Sequence, residues 1–273
     1  MSETREQITV EVDDQGIALL RMNDAGNQNR FSRAFVAELR ERLAMISEHP
    51  ECKVCVVAGL EEVFCAGGDR EVLEGLAKGE IRPYDLELTR DLIELPVPTI
   101  AAMAGHAVGG GFTFGLACDM ALLAEESRYG CNFMDLGFTP GMGTTRLLQL
   151  AVGEYKAAEM MLGCKYFKGK ALAGTLINGV HPRAKVEAQA MKLAARIADK
   201  PRRAIVLLKR SLGLTRRRAF EEARTAESFM HEICFADPET RSRIAENYHE
   251  SGHESGHESG HESGHESGHE SKD

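Results

Sequence analysis

Two glycine turns constrain this chain more than any other feature of it. Phe64-Cys-Ala-Gly-Gly-Asp69 follows the β-prone run Lys53–Ala58. About forty residues later, Gly105-His-Ala-Val-Gly-Gly-Gly-Phe-Thr-Phe-Gly-Leu-Ala-Cys-Asp119 follows Pro98–Met103. Glycine lets the backbone approach another group closely, with its N–H turned toward that group. The second turn opens an apolar helical stretch, whose first N–H groups lack partners within the helix and whose dipole favours negative charge. Two such turns brought together put two N–H donors on one oxygen, which is what holding a thioester enolate requires. Other uses of these glycines fail on spacing. Gly109-Gly-Gly111 is not G-x-G-x-x-G, and Gly163-Cys-Lys-Tyr-Phe-Lys-Gly-Lys170 misses the phosphate loop by one residue.

At these residues the chain resembles the crotonase (enoyl-CoA hydratase/isomerase) superfamily, from about Ile8 to Tyr248. The resemblance implies an α/β fold, a spiral of ββα repeats with a C-terminal helical trimerisation region. It also implies a homotrimer or a dimer of trimers. The two oxyanion donors carry over as the backbone N–H groups of Gly68, just before Asp69, and of Gly110, the middle glycine of the triplet.

The acid–base positions depart from that pattern. A hydratase of this superfamily carries one glutamate shortly after the triplet and a second before the Gly-x-x-Pro-Gly turn. Here those positions hold Thr113 and Phe133. Adding water across a double bond needs a base for the water and an acid for carbon, and neither side chain moves a carboxylate proton. Asp135 is close in sequence, but on a helix it would point away from the side of Phe133. The stretch Asn132-Phe-Met-Asp-Leu-Gly-Phe-Thr-Pro-Gly-Met-Gly143 looks like that of the decarboxylating second enoyl-CoA hydratase homologues of polyketide β-branching, which act on 3-methylglutaconyl groups carried on an acyl carrier protein. Decarboxylation suits the missing glutamates, since carbon dioxide leaves once the dienolate is stabilised and only one acid is needed afterwards.

That resemblance implies further site residues. His231, in Ser228-Phe-Met-His-Glu-Ile233, matches a late histidine of these decarboxylases, and an imidazole suits proton delivery near neutrality. Lys78, Arg82 and Tyr84 lie in the loop where the related enzymes orient the substrate carboxylate. Arg82 matches a lysine position there, keeping the charge with a different geometry. His106, inside the second turn, reads as structural. The expected function is therefore decarboxylation of a 3-methylglutaconyl thioester to a 3-methylcrotonyl-type product. The substrate rides on a phosphopantetheine arm, the acyl carrier protein is the partner, and no metal or redox cofactor is implied. The alternatives are a CoA-dependent enoyl hydratase or double-bond isomerase, and a catalytically silent carrier-protein-binding subunit.

Composition agrees with a globular enzyme: 273 residues, 43% hydrophobic and 27% charged. Net charge is −9, but the segment after His249 carries −6 of it, so the rest is nearly balanced and offers no nucleic-acid surface. Seven scattered cysteines argue against a disulfide framework, and Cys52-Lys-Val-Cys55 sits within a strand-like run with no second pair. Leu95–Cys118 lacks acidic and basic residues, yet its prolines and five glycines favour a buried strand–turn–helix over a membrane span. The polar start carries no signal-peptide pattern, and the chain reads as cytoplasmic.

Alternation predicts a hairpin from Ile8–Val12 and Gly16–Met22, and helical spacing runs from Phe31 to Ile46. Strands are expected at Lys53–Ala58, Pro98–Met103 and Met120–Ala124, and helices at Arg70–Leu76, Leu86–Leu95 and Phe112–Cys118. Lys78–Asp85 reads as a loop. Thr144–Val152, Tyr155–Leu162, Ala184–Ala198, Arg202–Leu212 and Arg216–Ile233 read as successive helices, two of them preceded by Pro182 and Pro201. The division is residues 1–200 as spiral core, 201–248 as C-terminal helical region and 249–273 as a tail. That tail repeats Ser-Gly-His-Glu five times from Ser251 to Glu270. It has no apolar residue to bury and is expected to be disordered.

Overall fold

The computed structural model describes residues 6–81 and 88–248. Arg82 and Tyr84 lie outside these residues, as does the tail. The chain opens with the expected hairpin. Ile8–Val12 (β1) pairs antiparallel with Ile17–Met22 (β2) around the Asp13 turn. Arg33–Glu48 (α1) follows, with the Ser32 side chain accepting the Phe35 N–H as its cap. Phe35, Leu39, Leu43 and Ile46 face the core as their spacing requires. Phe31 is not inside this helix; it precedes the cap, and its N–H is used elsewhere.

Three ββα turns come next. The first runs through Val54–Ala58 (β3), Val63–Cys65 (β4) and Arg70–Ala77 (α2), followed by Leu88–Glu94 (α3). The second is Thr99–Met103 (β5), His106–Val108 (β6) and Gly110–Ala117 (α4). The third begins Met120–Ala124 (β7) and Arg128–Gly130 (β8), then a 3-10 turn at Met134–Leu136 and the helix Thr144–Val152 (α5). Each turn gives its first strand to one sheet and its second to another. β3, β5 and β7 lie side by side and parallel in a six-stranded sheet, while β4, β6 and β8 lie in the same order in a four-stranded one. That is the ββα spiral. The second-strand members have only three residues each, too short to leave a periodicity in the sequence.

Glu154–Leu162 (α6), Phe167–Lys168 (β9) and Gly179–His181 (β10) lead to Arg183–Ala198 (α7). β3 is buried on both faces and therefore reads as a continuous apolar run. Val54, Val56 and Ala58 pack on Val186, Ala190, Ala194 and Ala198 of α7, while Cys55 and Val57 join the larger core on the other side. Arg202–Leu212 (α8), Leu214–Ala236 (α9) and Pro238–Asn247 (α10) complete the described residues. They fold back onto the spiral: Phe220, Phe235 and Ile244 belong to the main core. Lys209 pairs with Asp119 at 2.5 Å, and Arg216 donates to the carbonyls of Leu116, Cys118 and Asp119. A cation thus closes the C-terminal end of α4, where helix carbonyls lack partners.

Candidate active site

The other end of α4 is where the two glycine turns meet. Gly67 has φ +88°, a conformation glycine adopts without strain, and a β-carbon there would lie 2.8 Å from the Val108 carbonyl and 3.5 Å from the Gly110 nitrogen. The Gly67 carbonyl accepts the Phe31 N–H at 2.9 Å, as part of a parallel bridge between Phe31 and Gly68. This fixes the peptide plane that carries the Gly68 N–H. Asp69 then caps α2 through the Glu71 N–H and accepts from Asn27 Nδ2 at 3.0 Å.

Across the gap, Gly109 adopts φ 53°, ψ −124°, open only to glycine, and aims the next peptide at the first turn. Gly111 lets α4 lie against β4, since a β-carbon there would overlap the Cys65 carbonyl. Neither the Gly68 nor the Gly110 N–H has a hydrogen-bond partner among the described residues. Two free N–H groups on adjoining turns, one at a helix N-terminus, form a site for a developing negative charge.

Around this pair the side chains are mostly apolar. Met142, itself in the left-handed region at φ 63°, lies over Gly110, where its sulfur would be 2.8 Å from an added β-carbon. The Phe133 ring lies against Gly109 and stacks edge-on with Phe138 at 5.9 Å. Thr113 is fully buried, with its hydroxyl 2.6 Å from that of Thr144 and 3.2 Å from the Gly109 carbonyl. The two hydratase acid–base positions are thus a ring and an internally bonded hydroxyl.

His231 stands on α9 beside Phe138 and Phe235, with ring centroids 6.0 and 5.3 Å away. Its Nε2 lies 2.8 Å from the Thr139 carbonyl, which only accepts, so Nε2 carries the proton. Nδ1 is buried without a partner among the described residues. Burial holds the imidazole below its ordinary pKa, partly offset by the backbone carbonyls of Thr139 and Pro140, which accept from the ring. His231 and Gly110 are linked through consecutive residues, because Gly141 abuts the imidazole and Met142 abuts Gly110.

Lys78 is placed differently. It ends α2, roughly 13–14 Å along the helix axis from Asp69 at about 1.5 Å per residue, and its ammonium lies 3.6 Å from Glu74 at the surface. His106 accepts the Arg128 N–H at 2.8 Å through Nδ1, joining β6 to β8. The cysteines are free. Burial pushes the thiols of Cys65, Cys118 and Cys131 up to about 12, so they stay protonated. Among the described residues no group of three or more His, Cys, Asp or Glu side chains is placed to hold a metal ion. No described helix is long and apolar enough to cross a membrane.

Two participants escape sequence reasoning. Glu227, one helical turn before His231, is buried and accepts the N–H groups of Gly143 and Thr145 and the Thr145 hydroxyl. It caps α5 from another helix and anchors the 139–145 segment. Tyr248 donates its hydroxyl to the Gly68 carbonyl at 3.0 Å. An i, i+4 acid before His231 was a faint signal for Glu227; nothing local signals Tyr248.

The family model for enoyl-CoA hydratase/isomerase matches residues 13–254. The chain belongs to that family. It is 34% identical over 236 residues to the bacillaene synthase decarboxylase PksI of Bacillus subtilis (strain 168), covering 86% of this chain and 95% of that one. A solved structure from a dehydratase/decarboxylase enzyme couple involved in polyketide beta-branching superposes with a TM-score of 0.85 at 34% identity, covering 89% of this chain and 99% of that one. The ECH2 decarboxylase domain of CurF from Lyngbya majuscula gives a TM-score of 0.83 at 32% identity, covering 89% of this chain and 100% of that one.

Proposed function

We propose that this chain is the decarboxylase of a polyketide β-branching pathway, acting on a 3-methylglutaconyl thioester held on the phosphopantetheine arm of an acyl carrier protein. The observation that carries the reading is the pairing of two N–H groups, Gly68 and Gly110, that have no partner among the described residues, with no carboxylate at positions 113 and 133. Such a site stabilises an enolate and lacks the acid–base pair for hydration.

The bond between the distal carboxyl carbon and C4 breaks, and its electron pair spreads through the conjugated system onto the thioester oxygen. The Gly68 and Gly110 N–H groups take that charge in surroundings of Phe133, Phe138 and Met142. Arg82 and Tyr84 are proposed to orient the departing carboxylate, with Lys78, paired with Glu74 at the surface, as a third candidate. His231 supplies the proton to carbon. Its buried Nδ1 has no partner among the described residues, and a substrate carboxylate nearby favours the imidazolium. Once carbon dioxide has left, that support is gone, burial favours the neutral ring, and the proton passes to C4 to give the 3-methylcrotonyl thioester.

Large apolar side chains exposed on α8 and α9, among them Leu207, Leu208, Leu212, Phe229 and Ile233, support self-association as a homotrimer or a dimer of trimers. The decisive experiment is mass spectrometry of a 3-methylglutaconyl carrier protein incubated with the enzyme. Loss of carbon dioxide is the expected result. Gain of water would identify a hydratase, and an unchanged mass a silent carrier-binding protein.

A further inference from the structure

Thr113 occupies a position where related hydratases carry a glutamate, yet its hydroxyl is neither free nor aimed outward. We infer that Thr113 is a positioning residue that polarises the Gly109–Gly110 peptide through a two-hydroxyl relay with Thr144. The inference rests on the reading of Gly110 as an oxyanion donor.

The Gly109 carbonyl and the Gly110 N–H belong to one peptide unit. That carbonyl accepts both the Thr113 N–H at 3.1 Å and the Thr113 hydroxyl at 3.2 Å. The Thr113 hydroxyl lies 2.6 Å from the Thr144 hydroxyl, which lies 2.5 Å from the Gly141 carbonyl. Two protons therefore serve three contacts. In one arrangement Thr113 donates to Thr144, and Thr144 donates to Gly141. In the other, Thr144 donates to Thr113, and Thr113 donates to Gly109. Hydrogen bonds in a chain polarise one another. When the Gly110 N–H donates to a developing oxyanion, the Gly109 oxygen gains charge and becomes a stronger acceptor. The second arrangement is then favoured, and the relay strengthens the Gly110 donor as charge appears. An interaction stronger in the transition state than in the ground state raises kcat more than it lowers KM. No proton leaves either threonine.

The test uses 3-methylcrotonyl pantetheine thioester, carbon-13 labelled at its carbonyl, with the C=O stretch read by infrared difference spectroscopy, alongside kcat and KM for decarboxylation. In the wild type the bound stretch moves to lower frequency. Thr113→Val keeps the shape and loses the hydroxyl. Its stretch should move less and its kcat should fall about three- to tenfold, the scale of one neutral hydrogen bond, with KM little changed. Thr113→Ser should restore both. Wild-type stretch and kcat in Thr113→Val would overturn the relay while leaving the oxyanion reading intact. No shift in the wild type would overturn that reading, and the relay with it. Should Thr113→Val fail to fold, Thr113→Ala also removes the hydroxyl. A reduced shift there supports the relay, and a full wild-type shift overturns it.

Discussion

Gly141 and His231 are in direct contact: a β-carbon on Gly141 would come 2.5 Å from the imidazole Cε1 and 3.1 Å from Nε2. The glycine therefore sets how closely α9 can bring its histidine to the turn that also carries Met142. Gly141→Ala should push the ring away and weaken its bond to the Thr139 carbonyl. A displacement of about 1 Å can cost roughly 10²-fold in rate, so the variant should decarboxylate far more slowly. Stopped-assay kinetics on the carrier-bound substrate, with a melting curve as control, will show it.

Replacing Gly110 by proline removes one N–H at the first residue of α4, a place where proline suits the helix geometry. The rate should fall by about 10²–10³, the scale for one lost oxyanion donor. Gly110→Ala keeps the N–H and needs only a shift of the Met142 sulfur, so it should retain more activity. A folded proline variant at full kcat would remove Gly110 from the site.

His231→Ala should slow turnover by about 10²–10⁴-fold, as expected for loss of general acid catalysis. His231→Gln keeps an N–H for the Thr139 carbonyl but has no proton to give, and should be nearly as impaired. Carbon dioxide release will survive in part, with the proton arriving from water and the double bond partly misplaced. Nuclear magnetic resonance of the product distinguishes the two positions. Wild-type rate and product in both variants would return the chemistry to Lys78, Arg82 or Tyr84.

The same histidine makes a stability prediction. Burial lowers its pKa from 6.5, so the unfolded chain binds more protons than the folded one just below that value. Stability from the neutral ring is present above pH 6.5 and is lost as pH falls through 6.5 toward the lowered folded value. Urea titrations at about pH 7.5 and 5.5 should show a smaller drop for His231→Gln than for the wild type. An equal drop would place the titration elsewhere.

Thr113→Glu combined with Phe133→Glu should not yield an efficient hydratase. Thr113 is fully buried and bonded to Thr144, and Phe133 packs on Phe138, so the new carboxylates meet a packed interior rather than a water site. Hydration of a crotonyl thioester, followed by ultraviolet absorbance, should stay near background. Family-typical hydration would mean that two carboxylates were all that was missing.

The parts of this fold legible in the sequence were those with local patterns. The first hairpin strand, α5 and α8 have the expected bounds, and the second hairpin strand starts one residue later than expected, because alternation, apolar spacing and proline signals lie in or beside their own residues. The second sheet went unread: β4, β6 and β8 are three residues each and exist through their neighbours. α10 was missed as well, although Asp237 and Pro238 at its start are ordinary helix-opening residues. Phe31 looked like helix because it continues the spacing of Phe35 and Leu39, but its N–H is drawn to Gly67. The adjacency of the glycine turns followed from motif order. Which residues steady them did not, since Glu227 and Tyr248 act across 84 and 180 positions of chain. Lys78 pairs with Glu74 about two and a half turns beyond Asp69, and Arg82 and Tyr84 fall outside the described residues.

The turn that carries Gly68 is held from both ends of the described chain, by the Phe31 N–H on the Gly67 carbonyl and by the Tyr248 hydroxyl on the Gly68 carbonyl. Most of the sheet forms from contacts that do not involve α10. The last helix can therefore detach as a separate cooperative unit while the scaffold persists. In that partly opened form, far-ultraviolet circular dichroism would register an almost native protein that no longer turns over substrate. Activity would then be lost before bulk structure on gentle heating, and during synthesis the enzyme would become competent only when its final helix docks.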